Sequence, residues 1–166
     1  MSLTDVAQDR NEHPVDMVER VASLNQWAFE RSDEDEISIS VGGGWSDYHV
    51  SFTWLEDMDS LHMGAAFDLK VPDGRRAEVL KLISFINEQL WVGHFDLWHS
   101  ENAVMFRHAL LLPGGIVATA EQCESMLKIA VDACERYFQA FQFVVWAGKG
   151  AREALSGAMF DTVGEA

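Results

Sequence analysis

The sequence predicts an α+β protein, and three observations carry that expectation. Apolar residues recur at helical spacing toward both ends of the chain. Between them the period drops to two over several short runs. Those runs follow one another with short links, while the helical stretches stand apart, as they do when helices pack on an antiparallel sheet. The expected order is α-β-β-β-α-β-β-α-α, a five-stranded antiparallel sheet packed by helices.

From Pro14 to about Arg31, the residues Val15, Val18, Val21, Ala22, Leu24, Trp27 and Ala28 form a helical stripe. Pro14 suits the first turn of a helix, where its missing N–H is not needed. Residues 1–12 are polar and expected to be frayed or disordered; residues 13–166 are expected to form a single domain. Ser32-Asp33-Glu34-Asp35 reads as a solvated turn. Ile37, Ile39 and Val41 then alternate with serines, and Tyr48, Val50, Phe52 and Trp54 alternate with His49, Ser51 and Thr53. Leu61, Met63, Ala65, Phe67, Leu69 and Val71 complete a three-stranded meander.

Pro72-Asp73-Gly74 marks a turn and a helix start. Val79, Leu80, Ile83, Ile86 and Leu90 give the second helix its apolar face. Two more strands follow near 92–99 and 103–112, ended by Pro113-Gly114-Gly115. Thr119 with Gln122 is a capping box that opens a long helix. Its stripe is Cys123, Leu127, Ala130, Cys134, Tyr137, Phe138, Phe141 and Val145. Gly148-Lys149-Gly150 stops it, and 151–160 is a short final helix.

The formal net charge is −15. Such a surface repels phosphate backbones and anionic membranes, so neither nucleic acid nor membrane is an expected partner. Charge of this sign keeps the chain soluble and favours basic partners. No stretch approaches the roughly 20 apolar residues of a membrane span, and the polar start lacks the pattern of a signal peptide. The expected location is the cytoplasm. If Cys123 and Cys134 share one helix, they lie about 16 Å apart along its axis. A disulfide needs Cα atoms within about 7 Å, so both read as reduced core thiols.

The search for chemistry returns structural readings. Gly42-Gly43-Gly44 is followed by a strand rather than a helix and lacks the Lys-Ser or Lys-Thr of a phosphate loop. A hairpin turn is the simpler reading. His94, His99 and His108 fall in one hairpin but not in a ligating arrangement, and no cysteine pair or His-Glu-x-x-His supports zinc. There is no Gly-x-Ser-x-Gly nucleophile elbow. No catalytic residue, metal ligand or cofactor is assigned. The six tryptophans could line a ligand pocket, although Trp27, Trp54 and Trp91 read as core.

The last hairpin gives the most specific expectation. With a turn centred on Glu101 and Asn102, Asp96 faces Arg107 and Trp98 faces Met105. Phe95, Leu97, Phe106, Leu110 and Leu112 occupy one face. The other carries Trp98, Met105, Ala109 and Leu111, and so is not fully polar. A sheet apolar on both faces must cover the second. A homodimer, a docked protein or the long C-terminal helix would do so. Asp96, Trp98, Met105, Arg107 and Leu111 are therefore the candidate partner or dimer surface.

Three stretches carry a family resemblance. Ile86-Asn87-Glu88-Gln89-Leu90-Trp91-Val92-Gly93-His94-Phe95-Asp96-Leu97-Trp98 resembles the YbjN family, bacterial sensory transduction regulators. So do Phe106-Arg107-His108-Ala109-Leu110-Leu111 and the run from Cys134 to Trp146. Asp161-Thr162-Val163-Gly164-Glu165-Ala166 is similar to the alphaproteobacterial branch, from which Gln139 departs where a proline is expected. The resemblance covers residues 14–166. It implies a fold similar to type III secretion chaperones and a role in regulation or stress response rather than catalysis.

The expected function is a non-enzymatic regulatory or chaperone-like module that binds another protein or itself. A small-molecule sensor with an aromatic-lined pocket is the alternative.

Overall fold

The first helix ends earlier than its periodicity predicts. In the computed structural model, which describes residues 12–164 with side chains through Phe160, α1 spans Pro14–Leu24. The expected fraying therefore falls almost wholly on residues outside those described, as do the side chains of the closing Asp161–Ala166 motif. His13 caps α1: its Nδ1 accepts the Val15 N–H at 3.1 Å, and its Nε2 lies 2.8 Å from Asp35. Asn25 closes the other end, and Gln26 adopts φ 58°, a left-handed conformation that stops a helix.

The chain then reverses, and Ala28–Asp33 forms β1 instead of a further helical turn. It pairs antiparallel with β2 (Glu36–Gly42). Among the described residues the sheet thus has six strands, not five. The others are β3 (Asp47–Leu55), β4 (Ser60–Lys70), β5 (His94–Trp98) and β6 (Ala103–Leu111). Their spatial order is β1-β2-β3-β4-β6-β5, with every neighbouring pair antiparallel.

Helix α2 (Arg76–Gln89) buries Val79, Leu82, Ile83 and Ile86. Leu80 is 43% exposed, so it does not belong to the core face; Leu82 takes its place because 79, 82, 83 and 86 follow the helical repeat. Helix α3 (Ala120–Val145) opens with the expected capping box: Thr119 Oγ1 accepts the Gln122 N–H at 3.0 Å, and Gln122 Oε1 accepts the Thr119 N–H at 2.9 Å. Its whole expected stripe is buried. Helix α4 (Ala151–Gly164) follows a reversal at Gly148, φ 68°.

Helices α1, α2 and α3 meet the sheet on one side, and α4 packs on α2 and α3. The core between them centres on aromatic rings. Phe95 touches Phe106, Tyr137 and Phe141, and Phe67 touches Phe138 and Phe141. Both cysteines lie buried as free thiols on α3.

The β5–β6 register differs from expectation by two residues. Phe95 pairs with Phe106, Asp96 with Met105, and Trp98 with Ala103. The link is a four-residue loop, His99 to Asn102, in which Asn102 takes φ 51°. A slip of two keeps every side chain on its expected face. The Asp96–Arg107 ion pair survives as a diagonal contact rather than a direct one.

At the β5 edge, Asn87 of α2 stands in for a missing strand. Its Nδ2 donates to the Phe95 carbonyl at 3.0 Å and its Oδ1 accepts the Phe95 N–H at 2.8 Å. Each such bond contributes about 0.5–1.5 kcal/mol. Asn87→Ala should therefore lower stability by about 1–3 kcal/mol in urea unfolding. An unchanged midpoint would show that water replaces both bonds.

Candidate functional site: the open face of the sheet

Alternation fixes which side chains look away from the helices. Phe95 and Leu97 of β5, Val104 and Phe106 of β6, and Leu61, Met63 and Ala65 of β4 are all buried beneath the helices. Their neighbours point to the other side, where no helix packs among the described residues. The long C-terminal helix lies on the inner face, so it does not cover the second one.

All five expected surface residues sit on this open face. Asp96, Trp98, Met105 and Arg107 form one cluster over β5 and β6, while Leu111, 67% exposed, lies at the far end of β6. Arg107 organises the cluster. Its Nη1 donates to Asp96 Oδ2 at 3.1 Å, its Nε donates to His62 Nε2 at 3.2 Å, and its guanidinium lies 5.8 Å from the Trp98 ring centre. Met105 reaches across to Gly64 on β4: a Cβ there would lie 2.9 Å from its terminal carbon. His62 and Gly64 have no counterpart in the sequence reading. They come from β4, which pairs with β6 across an intervening helix and strand.

The rest of the face is mostly small and neutral, with His49 on β3 and Lys70 at the end of β4 as its larger polar side chains. Ser38, Ser51, Thr53, Ala66 and Ala109 lie between the cluster and β1 or at the far end of the sheet. A bond links Ser38 and Ser51 at 3.2 Å. Carboxylates are confined to the margins, at Glu30, Glu36, Asp47 and Asp68, apart from Asp96, which Arg107 neutralises. A chain of net charge −15 thus keeps unpaired acid out of the middle of its open face.

Burial, then the Arg107 guanidinium and the His94 imidazole, hold His62 below the usual histidine value. His108 is likewise held low, by burial first and then His94, but it points inward on β6.

The glycine loop is filled by the protein itself. Glu135 of α3 accepts the Gly44 N–H at 2.7 Å and the Tyr48 hydroxyl proton. A Cβ on Gly43 would lie 2.2 Å from the Tyr48 ring and 2.8 Å from the Ser46 carbonyl, so only glycine fits. The loop is therefore a latch onto α3, in keeping with a turn rather than a phosphate cradle.

Burial, and next the Glu135 hydrogen bond, push the Tyr48 hydroxyl well above its ordinary value of 10.0. Burial pushes Cys123 up to about 11 and Cys134 up to about 12, from 9.0. Groups raised on folding stabilise fully below their unfolded values and lose that contribution as pH rises toward the folded ones. Stability should therefore fall from about pH 9 upward. Cys123→Ala with Cys134→Ala should delay the onset toward pH 10. A flat profile from pH 8 to 11 in thermal unfolding would contradict this.

The tryptophans do not gather. Trp54 is buried, Trp27 and Trp98 are half-buried, and Trp91 is 92% exposed rather than in the core. A cavity of about 590 Å³ between α2 and α4 is lined by Glu78, Lys81, Phe85, Ala151, Arg152 and Glu153, with no tryptophan. Glu78 already accepts the Ala151 N–H there at 2.9 Å. Among the described residues no three metal-ligating side chains converge, and no helix is long and apolar enough to cross a membrane.

Known proteins place this architecture. The fold is similar to that in "Crystal structure of YbjN, a putative transcription regulator from E. coli", with a TM-score of 0.54 at 10% identity, covering 73% of this chain and 85% of that one. It is also similar to a chain of the ExsC–ExsE complex, with a TM-score of 0.53 at 16% identity, covering 74% and 88%. Identities this low speak for the fold alone. The α+β class, the antiparallel sheet and the likeness to the secretion-chaperone-like fold stand, with one strand more than expected. No curated protein matches the sequence. The profile of the YbjN family, described as "Putative bacterial sensory transduction regulator", matches residues 14–143. With that match over most of its length and the YbjN-like fold, the chain belongs to the YbjN family.

Proposed function

We propose that this chain is a non-enzymatic regulatory, chaperone-like module that acts by protein–protein contact, and that the contact it makes through its open sheet face is with a second copy of itself. The observation that carries this reading is the sorting of charge. Two chains of −15 repel one another unless the patch that touches is free of net charge. The middle of the open face meets that condition. A basic partner would instead be drawn to the acidic helices and margins.

The sheet edges support a face-on contact. Asn87 occupies the β5 edge, and β1 carries a bulge between Arg31 and Asp33 together with Glu30, features that discourage strand addition. The family's regulatory description and a structural neighbour solved as a complex of two proteins support action through contact. We place the module in the cytoplasm, since its two free cysteines are buried and suit a reducing compartment. Its role lies in bacterial signalling or stress response, and residues 13–166 act as one domain. Its net charge argues against nucleic acid or membrane as partner.

Salt separates the two modes of contact. Screening weakens like-charge repulsion between copies and weakens attraction to a basic partner. The self-association constant, measured by sedimentation from 0.05 to 0.5 M salt, should tighten several-fold. Weakening over that range would contradict self-association through a neutral face.

A further inference from the structure

The Arg107 cluster contains a histidine, His62, whose imidazole is bonded directly to the guanidinium. His62 Nε2 accepts from Arg107 Nε at 3.2 Å, so in this arrangement the imidazole is neutral and carries its proton on Nδ1. The same guanidinium is held by Asp96 and lies over Trp98. These three contacts keep Arg107 flat across β5 and β6. A proton on His62 Nε2 would replace an acceptor with a donor and set two cations against each other.

The groups facing His62 are few. Thr53 lies opposite on β3 and Ala109 opposite on β6, with Arg107 diagonal to it. Beyond Arg107 are His94, 3.9 Å from Asp96, and Asp96 itself. Glu36 on β2 lies across Thr53. Among the described residues no helix packs on this side to add another charge. Asp96 is thus the only carboxylate within the cluster among the described residues, and Arg107 already engages it.

We infer that protonation of His62 releases Arg107 from the sheet face and loosens the contact between two copies, so that self-association is weaker at pH 5.5 than at pH 7.5. The inference rests on the self-association proposed above. Burial between copies holds His62 neutral more strongly than in the free chain, so proton uptake favours separation. Below the free chain's value, each copy contributes up to about tenfold per pH unit. Acidification also shrinks the net negative charge and its repulsion, which acts in the opposite direction. Loosening at low pH therefore reports the cluster rather than the general charge.

The test is the dissociation constant by sedimentation at pH 7.5 and 5.5 for the wild type, His62→Gln and His94→Gln. The wild type and His94→Gln should weaken at least tenfold at pH 5.5, and His62→Gln less than threefold. A wild-type dimer equally tight or tighter at pH 5.5 overturns the gate while self-association stands. A His62→Gln protein that keeps the full step overturns it too. A wild type monomeric at both pH values removes the self-association on which the gate depends. If His62→Gln fails to fold, imidazole ¹⁵N resonances of the wild type decide. They should show Nδ1–H at pH 7.5 and the second proton on Nε2 as affinity falls; an Nε2–H imidazole at pH 7.5 overturns the inference.

Discussion

Phe95→Ala is expected to lower stability by about 3–5 kcal/mol, the usual cost of emptying a buried aromatic site. Phe95 is 1% exposed and stands among three rings, with centroids 5.4 Å from Phe106, 5.9 Å from Tyr137 and 5.5 Å from Phe141. These rings come from β6 and from α3, so the residue joins the last hairpin to the long helix. The cavity cannot collapse easily. Gly93 packs on the same ring system, at φ 70° with its would-be Cβ 2.3 Å from Phe106, so Phe106 is held against backbone on one side. The melting temperature should fall by on the order of 10 °C. Urea unfolding with an unchanged slope and a lowered midpoint would confirm a pure loss of stability. A loss below about 1 kcal/mol would mean that the packing around Phe95 is looser than these contacts indicate.

Trp98→Arg is expected to separate association from folding. Trp98 is half-buried on the open face, beneath the Arg107 guanidinium. An arginine there can reach solvent in a single chain, so the folded state should change by less than about 1 kcal/mol. Between two copies it places an uncompensated charge beside Arg107. Loss of a central aromatic anchor costs about 2 kcal/mol or more. A twofold contact counts it twice, so about 4 kcal/mol, or roughly a thousandfold, is lost in affinity. The expected product is a folded monomer with an unchanged circular dichroism spectrum. A variant that stays dimeric would move the contact off this face.

The contrast between what the sequence reveals and what it hides follows from the range of each interaction. Helix α3 is legible because its signals are local: the Thr119–Gln122 box spans four residues and the stripe repeats every turn. Strand β1 is hidden because the helix before it is stopped by Gln26, a residue with no strong preference for the left-handed conformation it adopts. Past that stop, Trp27 and Ala28 still fall at the helical spacing set by Leu24 and the residues before it, although Ala28 already belongs to β1. The hairpin register misses by two because the loop holds four residues and turns at Asn102.

The surface residues nonetheless fall on their expected face, since a slip of two leaves the alternation intact. His62 is the part that no local pattern discloses. Its role depends on β4 lying beside β6, a pairing made across about 45 residues. The Trp91 error has a different cause. A tryptophan between a helix and a strand reads as core by residue type, but it falls in the loop between Leu90 and Gly93, outside both buried faces.

The central claim is that the open sheet face joins two copies of this chain, and the solution mass of the unmodified protein tests it most directly. Light scattering at neutral pH and 0.15 M salt should give twice 18.6 kDa at micromolar concentrations, dissociating on dilution. A mass of 18.6 kDa at every concentration would contradict it.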